Sequence, residues 1–428
     1  MKSVLITLTT SFFFSLAAFS DNAYSKQKIV SSDINQKKTL MPVEHFILKN
    51  GLNVFITQNK ESPRFYAEIA VRTGSKNDPP ATTGIAHYLE HMLFKGTQDI
   101  GTTDYLKEKP LLDEIVSLYD LRFREKDEAK RKELEKKINE LSIKSSEYSI
   151  PGDFDTLYER LGGEESNAHT SVEETVYEID LPKNRLEQWA MIESNRFSNP
   201  VFRLFQSELE AVYEEKNISM DDKNSLLYEA VNKQLFKKHP YGSQTTLGTV
   251  EHLKNPSLKI MYDFYRKHYV PNNMGIFLSG DIDIVQAKKI ITKYFSSWKN
   301  KNIPEFKAPK EDQIKGVEKV KVNYKGEESV LLAFRTAPYK SIDRPALTII
   351  DMLLDSGQQG LIKLNLVNPQ KLRGGGSYPT FYNDYGAQSL YAVLKKGQTH
   401  QQAENLLLQQ IEKIKRGQFE QELVKGII

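Results

Sequence analysis

The sequence predicts an α+β fold of two homologous domains, each a mostly antiparallel sheet packed against helices. Three observations predict it. Short alternating strands come in groups, a Lys- and Pro-rich stretch divides the chain near residue 305, and the order of elements before that stretch recurs after it. A chain of 428 residues is long enough for two or three cores at about 150 residues per domain.

Ordered sequence begins at Glu44, where the strands 45–49 and 52–56 flank Asn50-Gly51, a strong hairpin signal. A third strand is expected over 66–73 and a helix over 83–95. Residues 105–150 are rich in Lys, Glu and Asp, with Leu111, Leu112, Ile115, Leu118 and Tyr119 at helical spacing, so a charged helical hairpin is expected there as an insertion. Asn167 to Leu181 alternates as one or two strands. Helices follow at 183–197, 203–219, 225–237 and 250–268, and a short strand ends at Gly280. Beyond the linker, strands at 317–324 and 328–335, a helix at 344–356, strands around 376–394 and a helix at 400–415 repeat the pattern. Setting Ala346 to Gly357 beneath Ile85 to Gly96 puts Thr348 under His87, Asp351 under Glu90 and Met352 under His91. The expected domains are 44–304 and 305–428. The last ten residues start a helical pattern without a stop signal, so the second domain is expected to be truncated.

The amino terminus is organised differently. Lys2 precedes an apolar stretch from Val4 to Phe19, and Ala18-Phe19-Ser20 suits signal-peptidase cleavage. Residues 1–20 read as a signal peptide and 21–43 as a flexible leader, which implies export to a bacterial periplasm or exterior and no stable membrane span once the signal is removed. The absence of cysteine agrees with an oxidising compartment.

Composition narrows the chemistry. Lys and Arg number 59 against 56 Asp and Glu, a net charge of +3 that offers no field for nucleic acid. Without cysteine, thiolate metal sites and a cysteine nucleophile are excluded, so a metal must be held by His, Asp and Glu. Only eight histidines are present, and two lie in His87-Tyr88-Leu89-Glu90-His91. A four-residue separation on a helix stacks both imidazoles on one face, and Glu90 projects from the same side, near enough to act as general base on a metal-bound water. A catalytic zinc usually takes a third protein ligand. The best donor is the segment Ser207 to Asn217, where Glu208 and Glu215 lie about two turns apart on one face and Glu214 points roughly 100° away. One of the pair can ligate while the other supports a histidine.

His87-x-x-Glu90-His91 resembles the inverted zinc motif of the pitrilysin, insulin-degrading enzyme and mitochondrial processing peptidase family. Glu208-x-x-x-Val212-x-x-Glu215 resembles that family's distal helix, and 264–274 with Gly280-Asp281 resembles the segment closing its first domain. The resemblance runs from about residue 45 to the end. It implies a zinc metallopeptidase with one Zn2+ per chain, ligated by His87, His91 and Glu215, with Glu208 as supporting acid and Glu90 activating the water. It also implies that Asn167, Ala168 and His169 lie on an edge strand that pairs with the backbone of an extended peptide substrate. His91 and Glu215 are 124 positions apart, more than is usual in the family, and the charged insertion accounts for the excess. Family members close a chamber with a later half or partner subunit, so the alternative expectation is a non-catalytic or incomplete binding subunit that needs such a partner.

Overall fold

The computed structural model describes residues 2–8, 41–303 and 305–427. Its strands, in chain order, are β1 (Lys2–Leu8), β2 (Val43–Ile47), β3 (Asn53–Gln58), β4 (Arg64–Val71), β5 (Glu164–Thr170), β6 (Thr175–Pro182), β7 (Met274–Gly280), β8 (Glu318–Tyr324), β9 (Ser329–Thr336), β10 (Gly374–Phe381) and β11 (Gly386–Val393). The helices begin with α1 (Ile85–Met92), α2 (Tyr105–Arg124), α3 (Glu128–Ser146), α4 (Asp153–Leu161), α5 (Leu186–Arg196), α6 (Phe205–Asp221) and α7 (Lys223–Leu235). They continue with α8 (Val250–Leu253), α9 (Leu258–His268), α10 (Ile284–Phe295), α11 (Arg344–Leu354), α12 (His400–Lys415) and α13 (Gln421–Ile427). These elements form two compact units. The first comprises Met41–Ser219 and Gln244–Lys307; the second comprises the amino-terminal strand, Met220–Ser243 and the chain from Ala308 onward.

The first unit is built on a six-stranded sheet, order β2-β3-β7-β4-β6-β5. All neighbours are antiparallel except β3 and β7. Every second residue of β4 is buried, from Phe65 to Val71, as the two-residue side-chain period demands when helices cover one face. The core joins these residues to Leu52 and to Val54 and Ile56 of β3, to Ile85, Leu89, Met92 and Leu93 of α1 and its exit, and to Trp189 of α5. The expected charged hairpin is present as α2 and α3, capped by Asp104 and Asp127, whose carboxylates accept from the backbone N–H of Lys107 and Lys130. The helix expected over 250–268 is two helices. Pro256 disfavours helical backbone in the residue before it, and Ser257 starts α9 afresh by accepting from the Ile260 N–H.

The second unit carries a five-stranded sheet, order β10-β11-β9-β1-β8, with α11 and α12 contributing Leu353, Leu354, Leu407 and Ile411 to its core. Here β8, β9, β10, β11 and α12 lie within about two residues of their expected positions. Residues 2–8 of the segment read as an export signal form β1, between β8 and β9. Apolar runs of this length do not reveal by periodicity whether they are strand or signal core. The rest of that segment and residues 21–40 lie outside the described residues.

A buried ion pair ties the exit of α1 to the entry of α6. Arg203 is 1% exposed and donates to the Glu108 carboxylate of α2 and to the carbonyls of Lys95, Thr97 and Ile100. Gly96 admits the guanidinium: a Cβ there would stand 2.3 Å from Arg203 Nη1. Breaking a buried pair leaves an uncompensated charge, so Arg203→Ala should cost about 3–5 kcal/mol in urea unfolding. The double change Glu108→Leu with Arg203→Met should recover most of that loss.

Candidate metal centre

Helix α1 is positioned from its amino end. Asp78, fully buried, accepts from the backbone N–H groups of Gly84 at 2.7 Å and Ala86 at 3.0 Å, satisfying donors that a helix start leaves free. Gly84 itself has φ 88°, a left-handed conformation that favours glycine, and a Cβ there would meet the Leu247 carbonyl at 2.9 Å. Burial pushes the Asp78 carboxyl well up, against the pull of these hydrogen bonds. On the core side α1 seats Ile85, Leu89 and Met92; Tyr88 stacks on Phe205 and donates to its carbonyl, joining α1 to α6.

That contact lets the opposite face of α1 meet α6. His87 Nε2 and His91 Nε2 are 3.3 Å apart, and Glu215 Oε2 lies 3.3 Å from the first and 3.6 Å from the second. Three donors bound tetrahedrally to one ion at about 2.0–2.1 Å would stand about 3.3 Å from each other, so this group fits zinc. Among the described residues it is the cluster of three such side chains able to share one ion. Glu215 approaches from a half-exposed side chain, while both imidazoles are largely buried.

The surrounding groups hold this arrangement. Glu208 Oε1 is 2.8 Å from His91 Nδ1, and Lys95 Nζ is 2.5 Å from Glu208 Oε2. An acceptor on Nδ1 keeps the proton there and leaves the Nε2 lone pair facing Glu215. His87 Nδ1 has no such partner among the described residues. Burial, reinforced by the neighbouring His91, lowers His87 to about 3. Burial also acts against charge on His91, but the Glu208 hydrogen bond and the charges of Glu215 and Glu90 outweigh it and raise His91. The hydrogen bonds from His91 and Lys95 outweigh burial at Glu208 and lower it.

Glu90 sits between the histidines, 7% exposed, and accepts from Thr170 Oγ1 at 2.5 Å. Burial raises its carboxyl above the usual range despite that bond. Thr170 ends β5, the outer strand of the sheet, which also carries Asn167, Ala168 and His169. Asn167 and His169 are exposed, and the side of β5 away from β6 has no partner strand among the described residues. The sequence analysis singled out His87, Glu90, His91, Glu208 and Glu215, which the structure brings together, but not Thr170, Lys95 or Asp78. Lys95 lies one turn beyond His91, a signal present in the sequence; the contacts of Thr170 and Asp78 depend on distant elements.

Two family models match the chain: insulinase (peptidase family M16) over 53–109 and 138–249, and the peptidase M16 inactive domain over 257–428. The chain belongs to peptidase family M16. The first match breaks off at 110–137, where α2 meets α3. A Helicobacter pylori zinc protease, PqqE, is 24% identical over 393 residues, 88% of this chain and 76% of its own length. Bovine insulin-degrading enzyme is 27% identical over 265 residues, 60% of this chain and 21% of its own. Among solved structures, a protease from Helicobacter pylori superposes with a TM-score of 0.69 at 21% identity, covering 91% of this chain and 83% of that one. The periplasmic protease PqqL of Escherichia coli gives 0.64 at 18% identity, covering 90% of this chain and 39% of that one.

Burial and the neighbouring His91 keep His87 uncharged in the metal-free chain, lowered to about 3, whereas His91, raised above 6.5, must lose its second ring proton before it can ligate. Affinity for zinc should therefore fall about ten-fold per pH unit below the raised pKa of His91, with the slope of one histidine proton. Zinc titrations between about pH 5.5 and 7.5 measure that slope, and a two-proton slope contradicts it. Glu208→Gln should weaken zinc binding about 10–100-fold in the same assay.

Proposed function

We propose that this chain is a zinc peptidase that hydrolyses peptide bonds in extended peptides or unfolded protein segments. His87, His91 and Glu215 hold one ion and Glu90 is the general base. The observation that carries this reading is the mutual approach of two Nε2 atoms and one carboxylate oxygen within 3.3–3.6 Å, with a buried acid between the histidines. Zinc, when bound, supplies Lewis-acid polarisation of the scissile carbonyl and a lowered pKa for the attacking water.

The chain's own residues do the rest. Glu90 takes a proton from the attacking water and returns it to the leaving amine as the C–N bond breaks and the new C–O bond forms. The burial that raises its pKa brings its proton affinity closer to the working pH. The Thr170 hydroxyl fixes the carboxylate's orientation. Glu208 orients His91 and is itself neutralised by Lys95. Along Asn167, Ala168 and His169 the backbone groups of β5 that do not face β6 are open to a substrate strand, which restricts substrates to extended chain.

Export is part of the same proposal. Residues 1–20 act as the signal, residues 21–43 as a flexible leader, and the periplasm or exterior is the place of action. No helix of the described residues is long and apolar enough to cross a membrane. The domains fall as 44–304, carrying the metal, and 305–428, lacking it. A later half or partner subunit closes the chamber, a reading favoured by the match of 257–428 to an inactive domain and by coverage of only 39% of PqqL.

Glu90→Gln should keep its zinc by elemental analysis while hydrolysis of a mixed peptide library falls at least about 100-fold. A retained rate removes Glu90 from the mechanism. Glu215→Gln should lose metal and activity together.

A further inference from the structure

A cavity of about 380 Å3 opens between α2, α3 and the entry to α6, wholly inside the first unit. Small-ligand sites typically span about 300–1,000 Å3. Its buried walls are apolar: Ile115 of α2 lies on one side, Phe202 and Phe205 on the other, with the half-buried Leu112 and Leu204 beside them. The mouth is more polar, with Ser146, Ser207 and Glu210 exposed around it. Glu210 is the one charged side chain among the described residues lining the cavity. It takes part in no ion pair among the described residues, and no Lys, Arg or His lines the space.

Two further observations set this cavity apart from ordinary surface relief. Leu204 has φ 55°, a left-handed backbone conformation that its Cβ makes costly. Strain of this kind gathers at ligand clamps. It sits between the buried Arg203 and the first turn of α6, where its carbonyl accepts from the Glu208 N–H. The second observation is that Leu112 and Ile115 fall in 110–137, the stretch that the insulinase model does not match, so the α2 wall belongs to the insertion. Glu210 follows Glu208 by two residues, about 200° round the helix, which puts the cavity on the side of α6 away from the imidazoles. Phe205 is nevertheless common to both, since it walls the cavity and stacks on Tyr88 of α1.

We infer that this cavity binds a small amphiphilic cation, an alkyl or aryl amine whose apolar body lies between α2 and α6 and whose ammonium pairs with Glu210. The buried walls select the body, because apolar surface leaves water there without any polar group losing a partner. The carboxylate selects the head. An anion would face Glu210 with no lining cation to offset it, and a neutral head would leave Glu210 unpaired. Binding here is separate from peptide hydrolysis, and its readout does not involve the metal, so this inference and the peptidase reading can fail separately.

The test compares octylammonium, 1-octanol and octanoate, which share one alkyl tail and differ in the charge of the head. Their binding to the intact chain is measured by calorimetry at low ionic strength, where a surface charge is least screened. Octylammonium should bind at least about three-fold tighter than octanol and about ten-fold tighter than octanoate. Glu210→Gln, on an exposed position, should bring all three affinities together. Ser142→Trp, which puts an indole into the cavity from the half-buried face of α3, should weaken all three at least about ten-fold by filling the space. The methyl resonances of Ile115 and Ile143 should shift as octylammonium is added. If Ser142→Trp does not fold, Glu210→Gln and the methyl shifts still decide. Absence of saturable binding, octanoate bound as tightly as octylammonium, or a preference for the cation that survives Glu210→Gln overturns the proposal.

Discussion

The candidate site depends on the contact between α1 and α6, two helices more than a hundred residues apart in sequence. Tyr88 stacked on Phe205, and bonded to its carbonyl, brings the faces carrying His87, His91, Glu208 and Glu215 together. Neither helix gains this from its own residues. An eight-residue helix such as α1 is marginal in isolation, and it persists because its apolar side is buried on the sheet and its first turn is capped by Asp78. The Arg203–Glu108 pair reinforces the same junction from the far side. The charged insertion thereby contributes an acid to the frame of the candidate metal centre as well as a solvated surface.

Electrostatics within the site separates the roles of chemically similar groups. Two histidines one turn apart are driven in opposite directions: burial and His91 lower His87, whereas at His91 burial is outweighed by the Glu208 hydrogen bond and the charges of Glu215 and Glu90. Three glutamates differ as clearly. Glu208 is held charged by His91 and Lys95, Glu90 is raised by burial, and Glu215 approaches the imidazoles from a half-exposed side chain. One acid orients, one can exchange a proton and one can ligate, and the difference lies in depth and neighbours.

Comparison of the two units shows what the metal motif adds to a shared frame. In the second unit Asp351 stands where Glu90 stands in the first, and its carboxylate accepts from Ser377 and Gln388. Thr348, in the place of His87, bonds back to the Arg344 carbonyl of its own helix. The contact between helix carboxylate and strand hydroxyl is therefore present with and without the paired histidines. That is the behaviour of a packing feature of the fold on which a site was built in one unit.

Local spacing alone placed His87, Glu90 and His91 on one helical face, because side-chain direction repeats every 3.6 residues whatever the helix packs against. The same rule put Glu208 and Glu215 on a common face. The alternation of β4 and the boundaries of α12 were equally legible, and the break at Pro256 could have been read from the proline and the serine after it. Tertiary structure decided the rest. It chose which glutamate meets the imidazoles, gave Thr170 and Asp78 their contacts, buried Arg203 on Glu108 and put residues 2–8 into a sheet. Each of these outcomes depends on distance between residues far apart in the chain, and sequence periodicity carries no information about that distance.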